Sequence, residues 1–110
     1  MNFKDWRDRI LDIVNDFIDP SGWLDESEKI ISDPVESNVN LFDDFNIENF
    51  MEEHKHDLTE IQSNYGYELI NIINENDHWF DKIPVEELIE HSDFLKIRGA
   101  AVKFKNSFNL

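Results

Sequence analysis

The chain has no cysteine, only three glycines and three prolines, and no apolar run approaching the roughly 18–20 residues a membrane span needs. Without cysteine, disulfides, thiolate metal sites and cysteine nucleophiles are excluded. Gly22, Gly66 and Gly99 stand apart from one another, so there is no glycine-rich loop to cradle a phosphate. Positive charge is also scarce, at ten Lys and Arg against twenty-five Asp and Glu, for a net −15. That balance opposes nucleic-acid binding, because contact with phosphates depends on Lys and Arg. The first amphipathic stretch is studded with Lys4, Asp5, Arg7, Asp8, Arg9 and Asp12, a pattern foreign to a signal peptide. Together these absences predict a cytoplasmic protein with no membrane partner.

What is present is acid, unevenly placed. Residues 1–91 carry 24 acidic and six basic side chains, whereas residues 92–110 carry Asp93 against Lys96, Arg98, Lys103 and Lys105. The long first part is therefore at −18 and the short last part at +3. From Asp19 to Glu60 thirteen acids face only Lys29 and Lys55. Such a field opposes compaction by self-repulsion and attracts basic partners over long range. The chain is nonetheless built to fold. Hydrophobic residues make up 40% and aromatics 13%, too much for a disordered acidic tail. Its 110 residues suit one domain, 1–110, near the modal size of about 100–150.

Hydrophobic spacing predicts an all-α fold of five or six short helices, with no sheet or at most a short C-terminal strand. Phe3, Trp6, Ile10, Ile13, Val14 and Phe17 recur at steps of three and four, with Asn2 as cap and Asp19-Pro20 as stop. Trp23, Leu24, Ser27, Ile30 and Ile31 suggest a second helix capped by Ser21, and residues 33–45 read as a loop around a short helical turn. From Ile47 to Asn76 the apolar period is helical throughout. A single rod over 46–76 would be about 46 Å long, against a radius of gyration near 13 Å for a domain of this size. Ser63, Asn64 and Gly66 mark the expected break, giving helices over 46–62 and 66–76. Pro84 opens a further helix, and Ser92 is expected to cap a last one holding Phe94, Ile97, Ala101, Phe104 and Phe108. Alternation of Ala100, Val102 and Phe104 leaves a terminal strand as the other reading.

No arrangement of side chains points to catalysis, so the chain is not expected to be an enzyme, and no cofactor is implied. The acid pairs Asp43-Asp44, Glu52-Glu53 and Glu86-Glu87 fit solvated faces better than the dry cleft that general acid chemistry needs. His54 and His56 are two apart, which on a helix separates them by about 200° and forbids a shared metal ion. His54 lies on the apolar stripe and is expected to be half-buried with a hydrogen-bond partner. Glu52 with His56, and Glu87 with His91, have the spacing of helical surface pairs. Phe3, Trp6, Phe17, Phe50, Phe94 and Phe104 are expected in the core. Trp23, Phe42, Tyr65, Tyr67, Trp79 and Phe80 fall at helix ends, breaks or loops, where Tyr and Trp often anchor interfaces.

Acid and aromatics together define a candidate partner-binding set: Trp23, Asp25, Glu26, Glu28, Asp33, Glu36, Phe42, Asp43, Asp44, Glu48, Glu52, Tyr65, Tyr67 and Trp79. The expected partner is a basic protein, a cognate nuclease toxin above all, whose cleft must be positive to hold phosphates. The expected function is that of a small bacterial inhibitor or immunity protein, an antitoxin that neutralises such a toxin by occlusion. An acidic nucleic-acid mimic of the anti-restriction or anti-CRISPR kind is the neighbouring alternative. A third comes from a resemblance. Asp44-Phe45-Asn46-Ile47-Glu48-Asn49-Phe50 is similar to the acyl-carrier signature Asp-Leu-Gly-x-Asp-Ser-Leu, and Ile83-Pro84-Val85-Glu86-Glu87 to the start of that family's third helix. The resemblance implies a helical carrier domain, covers about a tenth of the chain, and departs at the decisive place. Asn49 stands where the family has the serine that takes the phosphopantetheine arm, and the interval between the two segments is longer than in carriers.

Overall fold

The computed structural model describes residues 2–24 and 33–108, and over them the chain is helical, with no strand. The first helix, α1 (Phe3–Ile18), begins where Asn2 Oδ1 accepts from the Asp5 backbone N–H at 2.8 Å and ends at Asp19. Its stripe puts Ile10, Val14 and Phe17 out of solvent, while Phe3 and Trp6 sit half-buried at the rim. The short α2 (Ser21–Leu24) follows. Ser21 lies inside that turn, where its own N–H is met by Asp19 Oδ1 at 3.3 Å, so it is not the cap expected of it. The rest of the expected second helix lies outside the described residues.

Residues 33–45 are not a loop. Asp33 caps α3 (Pro34–Val39) by accepting from Glu36 N–H at 2.7 Å, and Pro34 takes the first helical position, where its missing N–H is not needed. A wider turn of helix, Asn40–Asp44, carries the chain on, with Leu41 buried. The helix then stops and restarts at Asn46, the one non-glycine residue with positive φ among the described residues, at 45°. Asn tolerates this left-handed conformation better than most residues, and its side chain caps α4 (Ile47–Glu53) through Asn49 N–H at 3.0 Å.

The break in the long helical period falls at His54–Thr59, not at Ser63–Gly66. Thr59 and Gln62 form a reciprocal capping box, with bonds of 3.1 and 2.8 Å, that starts α5 (Glu60–Asn76) afresh. Gly66 lies buried in the middle of α5, where it permits close packing and interrupts nothing. A tight turn at Asp77–Trp79 leads to α6 (Val85–Leu88), which opens just after Pro84. The last helix, α7 (Ser92–Ser107), is capped by His91, whose Nδ1 accepts from Asp93 N–H at 3.1 Å; Ser92 is its first residue. The segment from Ala100 to Phe104 is thus helical, not a strand.

α7 is the central element. It packs chiefly on α5 and then on α1, burying Phe94, Ile97, Ala100, Ala101 and Phe104. These join Phe17, Phe50, Leu69 and Ile73 in one hydrophobic cluster, and the Cα radius of gyration is 13.7 Å. No helix among the described residues is long and apolar enough to cross a membrane.

Candidate protein-interaction face

The acids of α4 are exposed because of its pattern. Ile47, Phe50 and Met51 turn inward, which leaves Glu48, Asn49, Glu52 and Glu53 on the outer side. Asp43 and Asp44 are exposed on the turn immediately before. Five exposed carboxylates therefore lie between Asp43 and Glu53, on the turn and the helix after it, and no Lys or Arg lies within residues 43–53. The ion pairs to Lys or Arg among the described residues are Arg7–Asp8, Lys96–Asp93 and Lys103–Glu68, all outside this stretch. The cations of α7 are in part spent on its own neighbours, since Lys105 Nζ also meets Asn15 Oδ1 at 2.7 Å. Among the described residues, then, no Lys or Arg forms an ion pair with the carboxylates of residues 43–53.

Tyr67 on α5 joins this surface. Its hydroxyl donates to Glu52 Oε1 at 2.5 Å and is exposed, and the bond to that carboxylate raises the phenol above its ordinary pKa, burial adding less. Glu36 is exposed on α3, and Phe42 is half-buried against the core. Asp33 is occupied in capping α3. Tyr65 is half-buried, with Lys103 Nζ 6.0 Å from its ring centre.

Two of the expected anchors are internal to the fold. Trp23 is 8% exposed, packed edge-on against Phe17 and Phe94, with its indole N–H donating to Ser37 Oγ at 3.1 Å. Ser37 in turn donates to Asp16 Oδ2 at 3.1 Å, so Trp23 is a core residue tied into a partly buried polar chain. Trp79 is half-buried, its indole N–H on Asp93 Oδ2 at 2.9 Å and its ring 4.6 Å from that of His91. It braces the start of α7, and that bond is the main cause holding the Asp93 carboxyl below its ordinary pKa. Phe80 is likewise buried. Asp25, Glu26 and Glu28 lie outside the described residues.

His54 and His91 serve structure. His54 is half-buried as expected, held by Asp57 at 2.9 Å among the rings of Phe3, Trp6 and Phe50. Because residues 54–57 form turns, Glu52 and His56 lose their helical spacing, and Glu52 bonds Tyr67 instead; His91 faces Asp93, not Glu87. Among the described residues no three His, Asp or Glu side chains gather as a metal site.

A feature that sequence spacing did not signal lies at the edge of the acidic surface. An open groove of about 420 Å³ is lined by Trp6, Asp44, Phe45, Asn46, Asn49 and Glu53. It forms because the left-handed Asn46 bends the chain sharply between the Asn40–Asp44 turn and α4. The same bend turns the Phe45 carbonyl towards α1, where it accepts from Trp6 Nε1 at 2.5 Å. In the segment similar to the carrier signature, Asn46 is this cap, and Asn49 donates its amide to Glu53 Oε1 at 3.2 Å. Comparison with protein-family models, with curated proteins and with solved structures gives no match.

Proposed function

We propose that the chain is a small acidic inhibitor, of the immunity-protein kind, that acts in the cytoplasm by covering a basic cleft on another protein. A nuclease toxin is the partner whose chemistry suits it best, because its cleft must be cationic to hold phosphates. The observation that carries this reading is the surface from Asp43 to Glu53, where five exposed carboxylates have no Lys or Arg partner among the described residues. Unsatisfied like charge on a helix surface works against folding stability, so its retention favours an external counter-charge. Attraction of this kind speeds encounter well beyond the neutral range of about 10⁵–10⁶ M⁻¹s⁻¹. The short, capped α4 carries Glu48, Glu52 and Glu53, and Tyr67 bonds Glu52. The mechanism is steric and electrostatic occlusion, with no chemistry of its own.

The test is affinity capture from the native host followed by kinetics on the purified pair. A Lys- and Arg-rich partner is expected, bound in a fixed stoichiometry, with its nuclease activity suppressed and the association rate falling steeply with salt. The triple variant D43N/E48Q/E52Q should associate at least about tenfold more slowly while dissociation changes less. A neutral or acidic partner, or an association rate indifferent to both salt and the triple variant, would overturn the reading.

A further inference from the structure

We propose that the groove beside Asn46 is a seat for one arginine side chain of the basic partner, so that the acidic surface distinguishes arginine from lysine. The proposal rests on the inhibitor reading for the existence of such a partner and adds what the partner must present. Two acidic residues line the groove, Asp44 from the turn and Glu53 from the end of α4. The Asp44 carboxylate has no hydrogen bond or ion pair among the described residues, and Glu53 uses only Oε1, on Asn49. Trp6 and Phe45 line the same groove, both half-buried and packed against the core. The Trp6 ring is further fixed by its bond to the Phe45 carbonyl.

Two carboxylates and aromatic side chains lining one groove are the combination that suits a guanidinium. Its planar fork donates to two acceptors at once while its face stacks on a ring. An ammonium is a compact, strongly hydrated point charge that gains little from a flat aromatic wall. The neighbouring Asp43, Glu48 and Glu52 attract either cation equally, so they supply the field while the groove supplies the choice. At about 420 Å³ it lies within the range of small-molecule pockets, roomy enough for a single side chain with accompanying water.

The probes are octa-arginine and octa-lysine peptides at low ionic strength, followed by calorimetry and by amide and indole NMR spectra of the intact chain. Octa-arginine should bind about tenfold more tightly than octa-lysine, as two charge-assisted bonds and a stacking contact warrant. It alone should shift the Trp6 indole N–H and the Asn46 and Asn49 signals. The variant D44N/E53Q should abolish the preference, whereas D43N/E48Q, which removes the same charge outside the groove, should weaken both peptides and preserve it. Equal binding of the two peptides, with both double variants equally affected, would overturn the arginine seat and leave the inhibitor reading standing. If neither peptide perturbs any signal from Asp43 to Glu53, both proposals fall together.

Discussion

Gly66 lies so close to Met51 that a Cβ built on it would stand 2.7 Å from the Met51 sulfur, with the Phe104 ring edge at 3.0 Å. The missing side chain is what brings α4, α5 and α7 together at this level. Gly66→Ala should therefore destabilise the fold. Overpacking costs about 1–3 kcal/mol, against a gain of up to about 1 kcal/mol from helix propensity, for a net loss of roughly 1 kcal/mol. Urea unfolding measures it, and a stabilised G66A protein would contradict the packing account. Met51→Ala should absorb part of the penalty, giving a coupling in the double variant.

Asp16 illustrates a cost that the fold carries. Burial raises its carboxyl above the ordinary 3.8, with Asp12 adding to the effect and the Ser37 hydroxyl opposing it. The folded chain thus holds this proton more tightly than the unfolded one, so the charged form costs stability above the folded pKa. That cost is relieved as pH falls through the raised value towards 3.8. Asp16 also lies in the last turn of α1, where a negative charge meets the negative end of the helix dipole. Asp16→Asn keeps an acceptor for Ser37 and should raise the thermal midpoint at pH 7. Its advantage should shrink towards acid pH, and an advantage constant from neutral to acid would rule this cause out.

The opposite sign applies at Asp93. Trp79 and Lys96 favour its charged form and hold the carboxyl below 3.8. Its contribution is present above the unfolded value and disappears as pH falls through the depressed folded one. Trp79→Phe keeps a ring beside His91 but removes the N–H donor. Carbon-detected NMR titration should then find the Asp93 carboxyl moved back up towards 3.8, and an unmoved midpoint would mean that the indole is not the cause.

Asn46 combines a left-handed backbone with a helix cap. Asn46→Ala loses both the tolerated conformation and the cap, at about 2 kcal/mol in denaturant unfolding. Asn46→Gly frees the backbone while losing the cap bond and should cost well under 1 kcal/mol. Equal losses in the two variants would show that the bend is not under conformational control at this residue.

Much of the helical layout was legible because α1, α5 and α7 repeat their apolar residues at a regular period over four or more turns. The position of the central break is not where spacing suggests, because Ser63, Asn64 and Gly66 look like breakers in isolation. The better signal, Thr59 followed by Gln62 three residues on, was also present in the chain. Residues 33–45 are more helical than their proline and polar pairs suggest, since Asp33-Pro34 with Glu36 is a helix start. The burial of Trp23 is hidden from local sequence because its partner Ser37 is fourteen residues away and on another element. The acidic surface could be counted from composition. The groove could not, because Trp6 and Phe45 are brought together across 39 residues by a bond that no local pattern encodes.

The first and last described helices lie side by side, tied by Lys105 Nζ on Asn15 Oδ1, a bond spanning ninety positions. During synthesis α1 must therefore wait for its principal neighbour until almost everything between them has emerged. In refolding, too, the native core closes only after a large loop has been drawn shut. Helical proteins are usually quick because their contacts are local. This one should be slower than its helix content suggests, and its nascent acidic segments should remain open to chaperones or proteases until α7 arrives.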